Sequence, residues 1–321
     1  MRTAIAAGAG LVLALVPAIG SAQQNYPTKP VRFVLPFPPG GGTDTLGRSI
    51  GQKLGDNLGQ TVVLDNRPGA GANIGAEIAA RAVPDGYTLL MTNIAHSINV
   101  SLYRKLNYDL LKDFASVTRL ASTPNILVVH PSIAAKSVKE LVALAKAKPG
   151  MNYASSGSGS APHLAGELFK YMTGIQLTHI PYKGGGPATV ALVAGEASMG
   201  VATMPSALPH VKGGRLRALA VSTAKRSAAT PDLPTIAEAG VPGYEFTTWY
   251  GVLVPTGTSK PIITRLNSEF IKLLQLPDIK ERLAASGFEP ETSTPAEFDH
   301  YIRAEVAKWG KVVKMANLRV D

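Results

Sequence analysis

Short apolar runs alternate along the chain with stretches in which apolar residues recur every three or four positions, and Gly/Pro punctuation separates them. Phe33, Val34 and Leu35 form one such run; after a Pro/Gly loop, Leu46, Ile50 and Leu54 follow at four-residue spacing. The run predicts a buried strand, and the spacing predicts a helix with one apolar face. A strand at 61–64 and a helix over about 73–82 come next, ended by Pro84-Asp-Gly86. The strand at 87–91 then delivers Thr92-Asn-Ile-Ala-His96 to its C-terminal end, where open α/β sheets hold ligands. An amphipathic helix at 137–147 opens a middle block. In that block Ser160 is a predicted N-cap with Pro162 in the first turn, a helix follows Pro187, and 216–222 reads as a strand. Beyond Pro255 the pattern is helical. Thr294-Pro-Ala-Glu297 is a capping box, and the helix it starts carries Phe298, Ile302, Val306, Trp309 and Val313 on one stripe, read as a docking face rather than a cofactor or partner surface. Such alternation predicts an α/β fold.

The middle block is bracketed by two proline-ended apolar strands, Pro124-Asn-Ile-Leu-Val-Val-His-Pro131 and Trp249-Tyr-Gly-Val-Leu-Val-Pro255. Two chain crossings around an inserted domain would look like this; two core strands of one large sheet is the alternative. The expected division is 23–124 with 250–321 as domain 1 and 125–249 as domain 2. A chain of 321 residues that is 45% hydrophobic can fill two cores. Residues 1–22 read as a signal peptide: Arg2, an apolar run from Ala4 to Val16, and Gly20-Ser21-Ala22 before a cleavage site. The run is too short for a membrane anchor. Export to the periplasm is therefore expected. There is no cysteine, which excludes disulfides, thiolate metal sites and a lipid-anchored N-terminus.

The net charge of +10 is spread out, with few interleaved aromatics. That argues for solubility and weak steering of anions, and against nucleic acid. Three Gly- or Ser-rich loops each precede a helix: Gly40-Gly-Gly42, Ser155-Ser-Gly-Ser-Gly-Ser160 and Gly184-Gly-Gly186. Glycine lets backbone N–H groups approach a ligand closely, and a helix start adds unpaired N–H groups and partial positive charge. Thr43, Ser155, Ser156, Ser158 and Ser160 add hydroxyls, so the three loops together point to a small anion. The nucleotide fingerprints fail on spacing. A Ser158/His163 hydrolase is the rival class, but Ser156 and Ser160 stand where a nucleophile elbow needs glycine. The six histidines show no pair at i, i+4, so neither a metal nor a cofactor is expected. Asp44 is read either as a helix-start residue or as a partner for a ligand amine or ordered water. Lys183 and Arg67 are candidate counter-charges or solvated loop residues.

Pro36-Phe-Pro-Pro-Gly-Gly-Gly-Thr-Asp44, Asn66-Arg-Pro-Gly-Ala-Gly71, Pro84-Asp-Gly-Tyr-Thr-Leu89 and Pro181-Tyr-Lys-Gly-Gly-Gly-Pro-Ala188 occur in order. So do Pro205-Ser-Ala-Leu-Pro-His210, Arg217-Ala-Leu-Ala220 and Pro234-Thr-Ile-Ala-Glu-Ala-Gly240. As a set, over nearly the whole mature chain, they resemble the Bug family, the TctC-like periplasmic solute receptors of tripartite tricarboxylate transporters. The resemblance implies a two-domain periplasmic-binding-protein fold of type II-like form. Each domain would be a mixed sheet flanked by helices, joined by two crossover strands. It also implies a monomer that closes on a small carboxylate, without catalysis, and delivers it to membrane transporter subunits. A ligand sensor feeding a signalling partner is the other non-enzymatic role. Carried over to this chain, the family's ligand contacts fall on Phe37, Gly41, Thr43 and Asp44, and across the cleft on Ser155, Ser158 and His163. Ala95 and Ser97 match a stretch that also lines the family's cleft. Where the family often has Phe-Asp-Asn, this chain has Ala202-Thr203-Met204. That leaves Thr203 as a neutral hydroxyl, with Ala202 and Met204 expected to make the distal wall more apolar.

Overall fold

The computed structural model describes residues 26–315 and 318–320; the signal segment expected over 1–22 lies outside them. The chain begins with three parallel-strand units. Strand β1 (Val31–Leu35) leads into helix α1 (Gly42–Leu58), β2 (Val62–Asn66) into α2 (Asn73–Ala80), and β3 (Thr88–Asn93) into α3 (Ile94–Leu102). The 16-residue strand β4 (Phe114–Val129) follows, then α4 (Val138–Ala147), β5 (Asn152–Ser155), α5 (Ala161–Thr173), β6 (Thr178–Pro181) and α6 (Gly185–Ala194). Next come β7 (Met199–Thr203), α7 (Met204–Lys212), β8 (Arg217–Val221) and β9 (Thr247–Pro255). Helices α8 (Lys260–Gln275) and α9 (Pro277–Ala285), the short β10 (Glu289–Pro290) and α10 (Pro295–Met315) complete the order.

The strands pair in the order β2-β1-β3-β9-β4-β7-β5-β6, with β8 and β10 also on β4. β2, β1 and β3 are parallel to one another, as are β7, β5 and β6; β9 and β4 run antiparallel to their neighbours. Strand β4 changes partner part-way. From Phe114 to Pro124 it pairs with β9, ending at Pro124↔Thr247; from Asn125 it pairs with β7, beginning at Asn125↔Thr203. The sheet therefore has two halves that share β4, and the two proline-ended strands found in the sequence are the two chain passages between them. Pairing of the second passage starts at Thr247, three residues before the expected boundary at 250.

Leu46, Ile50 and Leu54 of α1 are fully buried against Phe33, Leu35 and the α8 residues Leu266 and Phe270. The stripe on α10 is buried at Phe298, Ile302, Trp309 and Val313 and half-buried at Val306, and it packs on α3 and β4. Glu305, one turn inside that stripe, accepts the indole N–H of Trp249 at 2.9 Å and of Trp309 at 3.1 Å. This joins the C-terminal helix to β9. Among the described residues, no helix is long and apolar enough to cross a membrane.

Candidate ligand-binding cleft

Five helices begin at one small cavity between the two halves of the sheet. Gly41 is the N-cap of α1, Asn93 of α3 and Thr203 of α7, while Ala161 and Gly185 are the first residues of α5 and α6. All five line the cavity, together with Phe37, Gly42, Thr43, Ser156, Pro162, Thr248 and Tyr250. The space enclosed is about 20 Å³. A helix start carries roughly half a positive charge and those first-turn N–H groups that its cap leaves free. No carboxylate and no cation is among the lining residues.

Each start is built by local chemistry. Asn93 Oδ1 accepts from the Ala95 N–H at 3.0 Å, and His96 Nδ1 accepts from the Asn93 N–H at 3.2 Å, a capping box with histidine in the usual glutamate position. Ser160 Oγ accepts from the His163 N–H, and Pro162 fills a position whose N–H would have no partner. Gly184 caps α6 at a φ of 122°, a conformation open to glycine. Across the cleft, a Cβ placed on Gly185 would sit 3.2 Å from the Gly41 Cα, so the two glycine loops meet backbone to backbone.

Asp44 is buried and turned away from the cavity. Its carboxylate accepts from the Gly40 N–H at 3.0 Å, Arg48 Nε at 2.9 Å and Asn66 Nδ2 at 3.2 Å. Burial pushes its pKa up, but the Arg48, Gly40 and Asn66 hydrogen bonds outweigh burial and hold it below the ordinary value. The carboxylate completes the turn that presents Gly41 and Thr43.

The other expected residues separate into groups. Phe37, Gly41, Thr43, Ser156 and Thr203 line the inner cavity. Ser158 and Lys183 line an adjoining space, in which Phe37 and Ser156 also take part. Ala95 and Ser97 are fully buried in α3 and line neither; Asn93, at the same strand end, lines the cavity instead. Ser155 shapes the serine loop from below: its Oγ meets the Gly157 N–H and, at 2.6 Å, His179 Nε2. Ala202 and Met204 do not form the distal wall expected of them. Met204 lies against the Gly287 backbone and Ser227, and Ala202 faces a core cluster, because a strand-to-helix junction turns successive side chains to opposite sides.

His163 Nδ1 accepts from the Gly159 N–H at 3.1 Å, and its ring stacks on His179 with centroids 4.2 Å apart. Burial pushes both histidines down to about 4, with His179 adding to the shift of His163. Among the described residues Ser158 and His163 share no hydrogen bond, and His163 is occupied in holding the loop. No group of three or more His, Cys, Asp or Glu there is placed to hold a metal.

Sequence reasoning missed Tyr250, Thr248 and Asn93. Tyr250 is 1% exposed, its hydroxyl makes no hydrogen bond among the described residues, and burial raises its pKa. Its position on a proline-ended strand of the other chain passage gave no local signal of a ligand contact. Asn93 lies in the stretch 92–96 that the sequence places at a strand end, but histidine in the third helical position hid the capping box.

The chain matches the family described as tripartite tricarboxylate transporter family receptor over residues 46–318. It belongs to that family. The receptor is 39% identical over 293 residues to Protein BugT of Bordetella pertussis, covering 90% of each chain. Among solved structures it is similar to R. palustris Rpa4515 with adipate, at 40% identity and a TM-score of 0.89 over 92% of this chain and 99% of that one. It is also similar to MatC from Rhodopseudomonas palustris with bound malate, at 31% identity and a TM-score of 0.86 over 90% and 100%. The receptor thus has the fold of the periplasmic binding proteins of the Bug type.

Proposed function

We propose that the receptor captures a small organic mono- or dicarboxylate in this cleft and passes it to the membrane subunits of a tripartite transporter. It acts in the periplasm as a monomer, after removal of residues 1–22. The observation that carries the reading is the convergence of five helix starts on a cavity lined by no carboxylate. Neutral donors and aligned peptide dipoles favour an anion there without any fixed cation. The ligands named for the neighbouring structures, adipate and malate, are of the same chemical class. The division into residues 23–124 with 250–321 and residues 125–249 makes the cleft an interdomain one, closed by bending of β4 and β9.

The work is binding and release, without covalent chemistry. An ammonium group in the ligand would need a buried carboxylate beside it. Asp44 already serves Gly40, Arg48 and Asn66, so an acid without an amine is favoured. Calorimetry on the mature protein with the pairs succinate/aspartate and glutarate/glutamate tests this. Tighter binding of the amine-free member of each pair is expected; tighter binding of both amino acids would sink the assignment.

A further inference from the structure

We propose that the cleft has a second subsite, beside the five-helix cavity, that holds the distal anionic group of an extended dicarboxylate and uses Lys183 as its cation. This rests on carboxylate capture by the inner cavity. That cavity encloses about 20 Å³. So small a space suits the head group of an acid, and a longer chain would extend beyond it.

The space for it adjoins the inner cavity and shares Phe37 and Ser156 with it as a common wall. It measures about 530 Å³, within the range of ordinary small-molecule sites at roughly 300–1,000 Å³. One side is the turn at 68–72 with Tyr103; the other is the serine loop at Ser158 and the segment 182–184. It therefore lies between the same two halves that hold the inner cavity. Most of its lining is proline, glycine, alanine and aromatic rings, suited to methylenes or a ligand ring. Lys183 is the only charged residue lining it, and among the described residues its ammonium has no ion pair or hydrogen bond. Arg48 and Arg67, the cations that follow the first two strand-to-helix loops, are already paired with Asp44 and Asp65. An unpaired cation at the rim of an apolar space, continuous with an anion seat, is complementary to a chain that ends in a second carboxylate.

The wall opposite Lys183 is held in an uncommon conformation. Gly69, Ala70, Gly71 and Ala72 have φ of 131°, 47°, 62° and 86° in succession, and Asn99 Nδ2 holds the Gly71 carbonyl at 2.8 Å. Two alanines with positive φ store strain that the surrounding contacts must hold in place. The geometry keeps the turn's side chains small and opens the space.

Calorimetry with succinate, adipate and suberate, and with hexanoate and octanoate as singly charged controls, tests the assignment on wild-type receptor and Lys183→Gln. The thermal midpoint of each protein, taken first, should agree, since Lys183 is exposed. Wild type is expected to bind adipate or suberate at least about tenfold tighter than succinate, the scale of one charge-assisted contact. In Lys183→Gln that advantage over succinate should disappear, while hexanoate binding stays within about twofold, as for a ligand with no distal charge. Binding of short and long acids alike with no dependence on Lys183 overturns the second subsite and leaves the carboxylate reading standing. If wild type binds none of these acids, the carboxylate reading itself falls.

Discussion

Asp44 shows how one residue type supports opposite readings until its neighbours are known. In the sequence it reads as a helix-start acid, with a ligand contact as the alternative; the structure engages its carboxylate with Gly40, Arg48 and Asn66. Asp44→Ala would remove the charged acceptor shared by the Gly40 N–H, Arg48 and Asn66, leaving Asn66 only the Phe37 carbonyl, at about 1–3 kcal/mol. Urea unfolding should show that loss, and an unchanged midpoint would mean the turn holds itself. The histidines give a second test at this scale. Burial holds His96, His163 and His179 near 4 in the folded protein, below their ordinary value of 6.5. A depressed folded pKa means that the unfolded chain binds more protons between those values. Stability from these groups is full above about pH 6.5 and drains away as pH falls towards 4. The urea midpoint should therefore drop across that window, and drop less steeply in His163→Gln. An equal slope in the variant would show that His163 is not among the groups responsible.

At the scale of elements, punctuation made most of the chain readable. Ser160 and Thr294 cap α5 and α10 as their sequence contexts predict, because capping depends on a few adjacent residues; Ser137, read as the first helical residue, caps α4 in the same way. The junction of β7 and α7 was missed for the same local reason. Met199–Thr203 is buried on both faces and shows no alternation, while Pro205 and Pro209 read as helix breakers although Pro205 sits in the permitted first turn. The first half of β4 was hidden because Ser116, Thr118 and Arg119 interrupt its apolar pattern where the strand is bulged against β9. The three Gly- or Ser-rich loops were legible as turns that open helices; that five helix starts share one cavity was not, since this depends on the pairing order of distant strands. Gly42→Ala tests the packing of that junction. The added methyl would collide with the Tyr250 hydroxyl, which is fixed on β9, and overpacking of this kind costs about 1–3 kcal/mol. The same substitution in a Tyr250→Phe background should cost measurably less. Equal losses in both backgrounds would place the strain somewhere else.

At the scale of the molecule, function depends on how the two halves meet. They are joined covalently by only two chain passages, where β4 changes partner between Pro124 and Asn125 and where Phe246 leads into β9. Across the cleft the glycine loops touch backbone to backbone, Pro38 lies against Gly184, and the Tyr103 hydroxyl donates to the Ser158 carbonyl at 3.2 Å. A carboxylate bridging helix starts from both halves would add charge-assisted hydrogen bonds available only when the halves are together, and ligand would shift the population towards closure. Small-angle scattering of the mature protein should therefore show a smaller radius of gyration with saturating adipate than without it. Tyr103→Phe removes one neutral hydrogen bond from the seam, worth about 1 kcal/mol, and should weaken apparent affinity by up to about fivefold through the closed population alone. Saturating ligand should still compact that variant fully. Identical scattering with and without ligand in the wild type would show instead that the two halves are rigidly docked, and that the ligand enters by local movement of the loops around Phe37 and Ser156.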